Sequence, residues 1–201
     1  MKQFVFAPLL ALLIGVMAFS APVAAQDATP ISPAPELCTL TPPTYDQLSA
    51  YSASPIAEVE ASAEATPGPE LVLPQGTPLD DATRDAVEQS MVINVACLNS
   101  GSTLMFMAAY SQDALERLIG GSGDLSQELY ESLSTPEAIA EADRTVIVEF
   151  QEMVMLEDGR VAAIIVGDNQ GDDSSPAGPT LFYLTEKDGH WYIDDFVNPA
   201  E

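Results

Sequence analysis

The first apolar run of the chain lies at its N-terminus and has the pattern of an export signal. Lys2 supplies one positive charge, an apolar run extends over residues 4–19, and Ala25 ends a stretch of small residues of the kind that signal peptidase reads. We therefore predict that residues 1–25 are a signal peptide cleaved after Ala25, and that the mature chain is secreted and extracytoplasmic. The alternative is a retained membrane anchor, because residues 4–25 reach the roughly 20 apolar residues that cross a bilayer.

Residues 26–78 show no periodic apolar pattern and are rich in Pro, Ala and Glu. A segment of this composition can bury too little apolar surface to compensate for the conformational entropy that folding costs. We therefore predict an arm and linker that are largely disordered. One short helix is expected within this stretch, at Tyr45–Tyr51, with Thr44 as its N-cap.

From Leu79 onward apolar residues recur at helical spacing, which places the folded domain at residues 79–201. Asp80 or Asp81 can cap a long helix that extends through Asn99, and the apolar stripe along it predicts that this helix is well buried. Shorter helices are predicted after it, at Thr103–Tyr110, Gln112–Ile119 and Ser126–Leu133.

After residue 143 the pattern changes to the alternation and the β-branched runs that are typical of strands. Asp-Gly pairs at residues 158–159 and 188–189 predict tight hairpin turns. The predicted strands are Arg144–Leu156, Arg160–Gly167, Thr180–Glu186 and His190–Val197. Helices followed by such a meander predict an α+β fold, with N-terminal helices packed on a mainly four-stranded antiparallel sheet.

Composition adds a strong acidic bias to this picture. The chain has 31 Asp and Glu against 6 Lys and Arg, which gives a formal net charge of -25 at pH 7. So few bases cannot neutralise a run of phosphates, which excludes nucleic-acid binding, and an anionic membrane surface would repel the mature chain. Solubility outside the cell and an acidic surface for cationic partners are both consistent with the charge.

Cys38 and Cys97 are the two cysteines of the chain. In an exported protein an even pair predicts a disulfide, here one that ties the arm to the end of the long helix. The alternative is a buried, inert Cys97 and a free Cys38. With a single histidine the chain has too few soft ligands for zinc, and the acidic loop from Asp168 lacks the ligand spacing of an EF-hand, so we expect neither a metal nor a cofactor.

Three segments of the domain carry a resemblance to one known superfamily. They are residues 96–101 (ACLNSG) at the end of the long helix, residues 108–113 (AAYSQD) after the next helix, and residues 188–194 (DGHWYID) in the last strand. Over residues 79–198 the chain resembles the nuclear transport factor two-like superfamily, in particular the exported SnoaL-like proteins of bacteria. The resemblance implies a cone-like fold, with a curved sheet wrapped around a long helix and a pocket between them, but no particular reaction.

A pocket enzyme of this kind needs a general base and a hydrogen-bond donor. The candidates are Asp194 or Asp195 as the base, since neighbouring strand residues face opposite sides, and Tyr110 as the donor. His190 is interpreted as an exposed turn residue rather than a base. Candidates for the lining of an apolar ligand pocket are Asn94, Phe106, Tyr110, Phe150 and Tyr183, although each also fits an ordinary position in or beside the core.

Because catalytic groups are scarce, the favoured hypothesis is an exported, non-catalytic SnoaL-like domain that binds a small apolar ligand or a protein partner. A second hypothesis is an isomerase or cyclase that uses an Asp base in its pocket. A third is a structural or interaction protein of the cell envelope, in which the arm is a spacer and two copies form a homodimer through the outer sheet face. An interior filled by side chains would count against the small-ligand form of the first hypothesis.

Overall fold

The computed structural model describes residues 29–54, 71–170 and 178–198. The predicted signal peptide, its cleavage site after Ala25 and most of the polar loop that follows Asp168 lie outside these ranges. Within them the protein is α+β, and apart from one two-residue strand the helices precede the strands of an antiparallel sheet, as the sequence predicts. None of the helices in these ranges combines the length and the hydropathy of a membrane span.

Each described α-helix begins at a polar side chain that accepts a hydrogen bond from a backbone amide of the first turn, which stabilises a helix start. The caps are Thr44, Asp80, Ser102, Ser111 and Ser126. The helices are α1 (Tyr45–Ala53), α2 (Asp81–Leu98), α3 (Thr103–Met107), α4 (Gln112–Ile119) and α5 (Gln127–Ser134). Helix α3 ends at Met107 instead of continuing to Tyr110, because residues 109–111 leave the helix to pair with the last strand.

The sheet contains five antiparallel strands in the order β1-β2-β3-β4-β5. They are β1 (Thr77–Pro78), β2 (Thr145–Met155), β3 (Val161–Asn169), β4 (Gly178–Lys187) and β5 (His190–Val197). The last four form the predicted meander. Strand β1 corrects the expectation of a mainly four-stranded sheet, because two residues from the predicted linker pair with Val154 and Met155 of β2. A strand of this length has no periodic pattern that a sequence could reveal.

Helix α2 packs across one face of the sheet, which we call the inner face. Val87 and Met91 of α2 belong to one cluster with Val161, Leu184 and Ile193 of the strands, and none of these is more than 6% exposed. Burial of a side chain of this size contributes roughly 1.5–3 kcal/mol. The layer between α2 and the sheet is therefore the main core.

A second apolar cluster lies on the opposite, outer face of the sheet. It is formed by Ala162, Ile164 and Leu181, and Leu71 and Leu73 from the segment before β1 pack against it. The two clusters follow from the alternation of side chains along a strand, which sends successive residues of β3 to opposite faces.

Residues 29–54 of the arm are part of the folded body. Cys38 and Cys97 form a disulfide, which confirms the predicted bond and is compatible with an extracytoplasmic location. Upstream of it, Ile31 and Ile147 exchange two backbone hydrogen bonds of 2.7 and 2.8 Å at the edge of β2. Over these residues the structure corrects the expectation of a largely disordered arm, because contacts made by single residues leave no periodic signal in the sequence.

Helix α1 attaches the second half of the arm. Leu48 is 1% exposed, and α1 packs on α4. The Tyr45 hydroxyl donates to the carbonyl of Leu125 at 2.9 Å, and the Tyr130 hydroxyl donates to that of Pro43 at 3.2 Å. The short helix predicted in the arm is confirmed, and its packing makes the arm one side of a cleft described below.

Candidate functional site

The layer between α2 and the sheet, where the resemblance places a ligand pocket, is filled by side chains. Met91, Ile147, Met153 and Trp191 are each no more than 7% exposed, and Phe150 packs against them. Neither of the two clefts described below is lined by these residues. Protein interiors are close-packed, so such a layer has little room for a ligand.

The other residues predicted to line the pocket do not converge on one space. Phe106 packs edge-to-face on Tyr110, with ring centroids 5.0 Å apart, whereas Tyr183 packs against the cluster on the outer face. Asn94 is 2% exposed, and its Nδ2 donates to the carbonyl of Trp191 at 3.2 Å. Asn94 thus satisfies a buried backbone group, which is the ordinary alternative for an amide on an apolar helix face.

The structure corrects the interpretation of His190 as an exposed turn residue, because the side chain is half-buried beside α2. Its Nε2 lies 2.9 Å from Oδ1 of Asn94. Since Nδ2 of Asn94 donates to Trp191, Oδ1 is the acceptor, and Nε2 of the neutral ring carries the hydrogen. Burial lowers the pKa of His190 and so favours this neutral form.

An open cleft of about 880 Å³ lies between the arm and the end of the sheet that carries the β4–β5 turn. We call it the arm cleft. The arm from Thr41 to Tyr51 forms one wall, Tyr110 and its neighbours form the floor, and Lys187 and Tyr192 belong to the opposite wall. Three tyrosines from distant parts of the sequence therefore line one depression.

Asp194, a predicted base, also lines the arm cleft. The register of β4 against β5 pairs Tyr183 with Asp195 and Leu184 with Ile193, so Asp194 has no partner on β4. Such a bulge redirects the side chain of the extra residue. Here it separates Asp194 from Asp195, which stays exposed and whose carboxylate accepts a hydrogen bond from the next backbone amide.

The carboxylate of Asp194 is held by three side chains and is 12% exposed. Oδ1 accepts a hydrogen bond of 2.7 Å from the Ser111 hydroxyl and lies 3.6 Å from Nη2 of Arg117. Oδ2 accepts a hydrogen bond of 3.0 Å from Nη1 of Arg160. Both oxygens are thus engaged, as in a structural ion cluster, and a ligand would have to compete with Ser111 and Arg160 for the carboxylate.

Tyr110, the predicted donor, lines the arm cleft beside Phe106. Burial raises the pKa of Tyr110 to about 12, since the buried site disfavours the phenolate. The hydroxyl therefore stays protonated over the physiological range and can donate a hydrogen bond. In the described ranges, no group of three or more His, Cys, Asp and Glu side chains is placed to hold a metal ion.

The basic side chains at this cleft were not predicted as site residues. Arg160 and Lys187 line the cleft, and Arg117 reaches it only through its contact with Asp194. Arg160 also contacts Asp194, whereas Lys187 forms no ion pair with any described residue. The scarcity of bases, 6 against 31 acids, is the signal that could have drawn attention to them. The choice of Asp194 among so many acids depends on the fold and is not visible in the sequence.

Comparison with known proteins gives no match to this chain among protein-family models, curated proteins or solved structures.

Proposed function

We propose that this chain is an exported, non-catalytic domain that binds a protein partner through the arm cleft. The observation that carries the proposal is a contrast between two spaces. The inner layer is closed by packed side chains, whereas the arm cleft is open and is lined by Tyr51, Tyr110, Tyr192 and Lys187, which forms no ion pair with a described residue. Tyrosine is enriched at protein interfaces because its ring offers apolar area and its hydroxyl offers a hydrogen bond.

The lining of the arm cleft supports a protein partner over a small apolar ligand. Small-molecule sites are mostly apolar and enclose most of the ligand surface. The arm cleft is open, and its rim includes the exposed carboxylates of Asp113, Glu186 and Asp188. A protein surface with its own polar groups can match such a rim, whereas an apolar molecule would leave these charges without partners.

We also propose that the chain has the cone-like fold of the SnoaL-like proteins. It is supported by the position of α2 along the inner face of an antiparallel meander, and by the hairpin that the residues 188–194 help to form. Export, with removal of the signal after Ala25, is supported by the disulfide between Cys38 and Cys97.

Site-specific photo-crosslinking in the cells that export the protein tests the proposed function. A benzophenone amino acid replaces Tyr51, a wall residue of the arm cleft, and in a control variant it replaces Leu129, which is 49% exposed on α5. We expect a discrete protein adduct from position 51 that is absent from position 129. Adding Lys187→Glu to the Tyr51 variant should abolish the adduct. Equal adducts at both positions, or none at position 51, would contradict the proposal.

One observation favours a second candidate, the pocket isomerase. Asp194 and Tyr110, the predicted base and donor, line the same cleft. This function requires that Asp194 release Arg160 when a ligand enters, because a base needs a free oxygen within reach of the proton it removes. A ligand-bound structure in which Arg160 still holds Asp194 would rule the isomerase out.

A further inference from the structure

A second depression lies on the outer face of the sheet and shares no lining residue with the arm cleft. It has a volume of about 550 Å³, and we call it the outer groove. It is lined by Leu71, Val72, Leu73, Glu149, Gln151, Glu152 and Ile164. Ile164 is 8% exposed at its base, whereas Val72 is 73% exposed, the highest value among the large hydrophobic side chains that the structure describes.

The charged side chains that line the outer groove are both acidic. Glu149 and Glu152 are exposed, and neither forms an ion pair with a described base. Glu149 only accepts a hydrogen bond from Gln151, at 3.1 Å. An apolar partner would remove water from these carboxylates without compensation.

A second copy of this chain that used the same surface is disfavoured at the outer groove. It would bring its own Glu149 and Glu152 to the same contact, in a chain whose formal charge is already -25. Like charges at an interface cost several kcal/mol and suppress the wrong partner. The groove therefore selects for a partner that carries cations next to apolar groups.

The backbone of β2 beside the groove is irregular. Its pairing with β3 shifts between Ile147 and Glu149 and again between Phe150 and Met153. Bulges interrupt the row of backbone groups that an added strand needs, and they are a common protection of sheet edges. Recognition at this place consequently depends on side chains rather than on strand addition.

We propose that the outer groove binds a cationic amphipathic segment of a partner protein. Lys or Arg side chains of that segment pair with Glu149 and Glu152, and its apolar side chains cover Val72 and Ile164. The proposal is independent of the arm cleft, because the two surfaces have no residue in common.

The test is a titration of the isotope-labelled chain from Gln26 onward with a short synthetic amphipathic peptide of lysine and leucine, followed by amide NMR shifts. We expect the shifts to concentrate on the residues that line the outer groove. An oligolysine of the same charge should bind more weakly, because it covers no apolar surface. Glu149→Gln combined with Glu152→Gln should weaken peptide binding roughly three- to tenfold, from the loss of two exposed charge pairs. Val72→Ser should also weaken it.

The matched control combines Glu128→Gln and Glu141→Gln, which remove the same charge from exposed positions outside the groove. This control should bind the peptide nearly as well as the native chain. Equal weakening in both double variants would overturn the proposal, since it would show attraction to the overall charge. It would also be overturned by equal binding of oligolysine, by shifts centred elsewhere, or by a dimer in sedimentation that Val72→Ser dissociates.

Discussion

At the scale of single residues, one carboxylate joins three elements that are far apart in the sequence. The Ser111 hydroxyl caps α4 and also donates to Asp194 on β5, while Arg160 reaches the same carboxylate from the start of β3. Arg117 of α4 adds a second guanidinium and donates to the backbone carbonyl of Asp194. The Asp194 side chain is only 12% exposed, whereas those of Arg117 and Arg160 are 42% and 35% exposed and Arg160 also pairs with Asp158 at 2.8 Å. The main cost of removing the charge of Asp194 is therefore the weakening of the hydrogen bonds that its carboxylate accepts.

Asp194→Asn should therefore destabilise the protein by about 1–2 kcal/mol, because the mostly buried side chain loses the charge that strengthens its hydrogen bonds with Ser111 and Arg160. Urea unfolding measures the change. The control is Asp195→Asn, whose carboxylate is exposed and contacts only the neighbouring backbone, with an expected change within about 0.5 kcal/mol. Equal effects of the two variants would refute the structural role of the cluster.

His190 makes the stability dependent on pH. Its folded pKa lies below the ordinary value of 6.5, so the unfolded chain binds more protons than the folded chain between the two values. The contribution of His190 is present above about pH 6.5 and is lost as the pH falls through the folded pKa. His190→Gln keeps a donor for Asn94 but cannot titrate. Urea unfolding measures the free energy of unfolding of the native protein and of this variant. We expect the difference, native minus variant, to fall from pH 7.5 to pH 5. A difference that stays constant or rises would disprove the role of His190.

At the scale of elements, β5 is the last strand of the sheet, and its free edge is covered by α2 and by the segment after α3. The amide of Trp191 donates to the Ser90 hydroxyl of α2 at 3.0 Å. Ile193 donates to the carbonyl of Ala109 at 2.9 Å and accepts from the amide of Ser111 at 2.8 Å. An uncovered edge strand invites pairing with other chains, so these contacts protect the sheet and also fix the floor of the arm cleft.

Gly101, which follows α2, is required by both its backbone and its surroundings. It has φ 72°, and a Cβ at this position would overlap the carbonyl oxygen of Glu137. Gly101→Ala should cost about 3 kcal/mol or more, from the left-handed backbone together with the overlap. Gly123→Ala is the control, because Gly123 has φ 93° but open space around it, and we expect a loss of about 1 kcal/mol. Thermal or urea unfolding of the two variants should rank them in this order, and the reverse order would be inconsistent with the structure.

The disulfide holds the arm wall of the cleft on α2. It joins residues 59 positions apart, and loop entropy assigns such a bond up to about 4 kcal/mol. Replacing Cys38 and Cys97 together by Ser should lower the free energy of unfolding by an amount of this order and speed amide exchange in α1. The native protein under reducing conditions should behave like the double variant. Unchanged exchange in α1 would mean that the arm is held by its other contacts alone.

Local signals explain which elements the sequence predicts well. Helix α4 has the predicted bounds because Ser111 caps it and Gly120 ends it, and β5 begins where the turn at Gly189 predicts. The bridge of Ile31 to β2 and the bulge at Asp194 depend on residues that are distant in the chain, so no local pattern reveals them. For the same reason the candidate site could be predicted only as single residues, and the cluster around Asp194 could not.

At the scale of the whole molecule, the packing and the charge together indicate where the protein can bind a partner. Apolar side chains fill the inner layer, and the arm cleft and the outer groove are open depressions lined by described residues. The formal charge of -25 opposes self-association and favours cationic partners over anionic ones. The arm, which the sequence presents as a spacer, is built into the body and forms one wall of the cleft.

Native mass spectrometry of the protein purified from its own export compartment tests this account most directly. We expect a chain that begins at Gln26, has the mass of the intact disulfide and carries no small molecule. A bound protein should accompany it and be absent from the Lys187→Glu variant. A small molecule retained by the chain, or a wild-type chain that never carries a protein partner, would contradict the account.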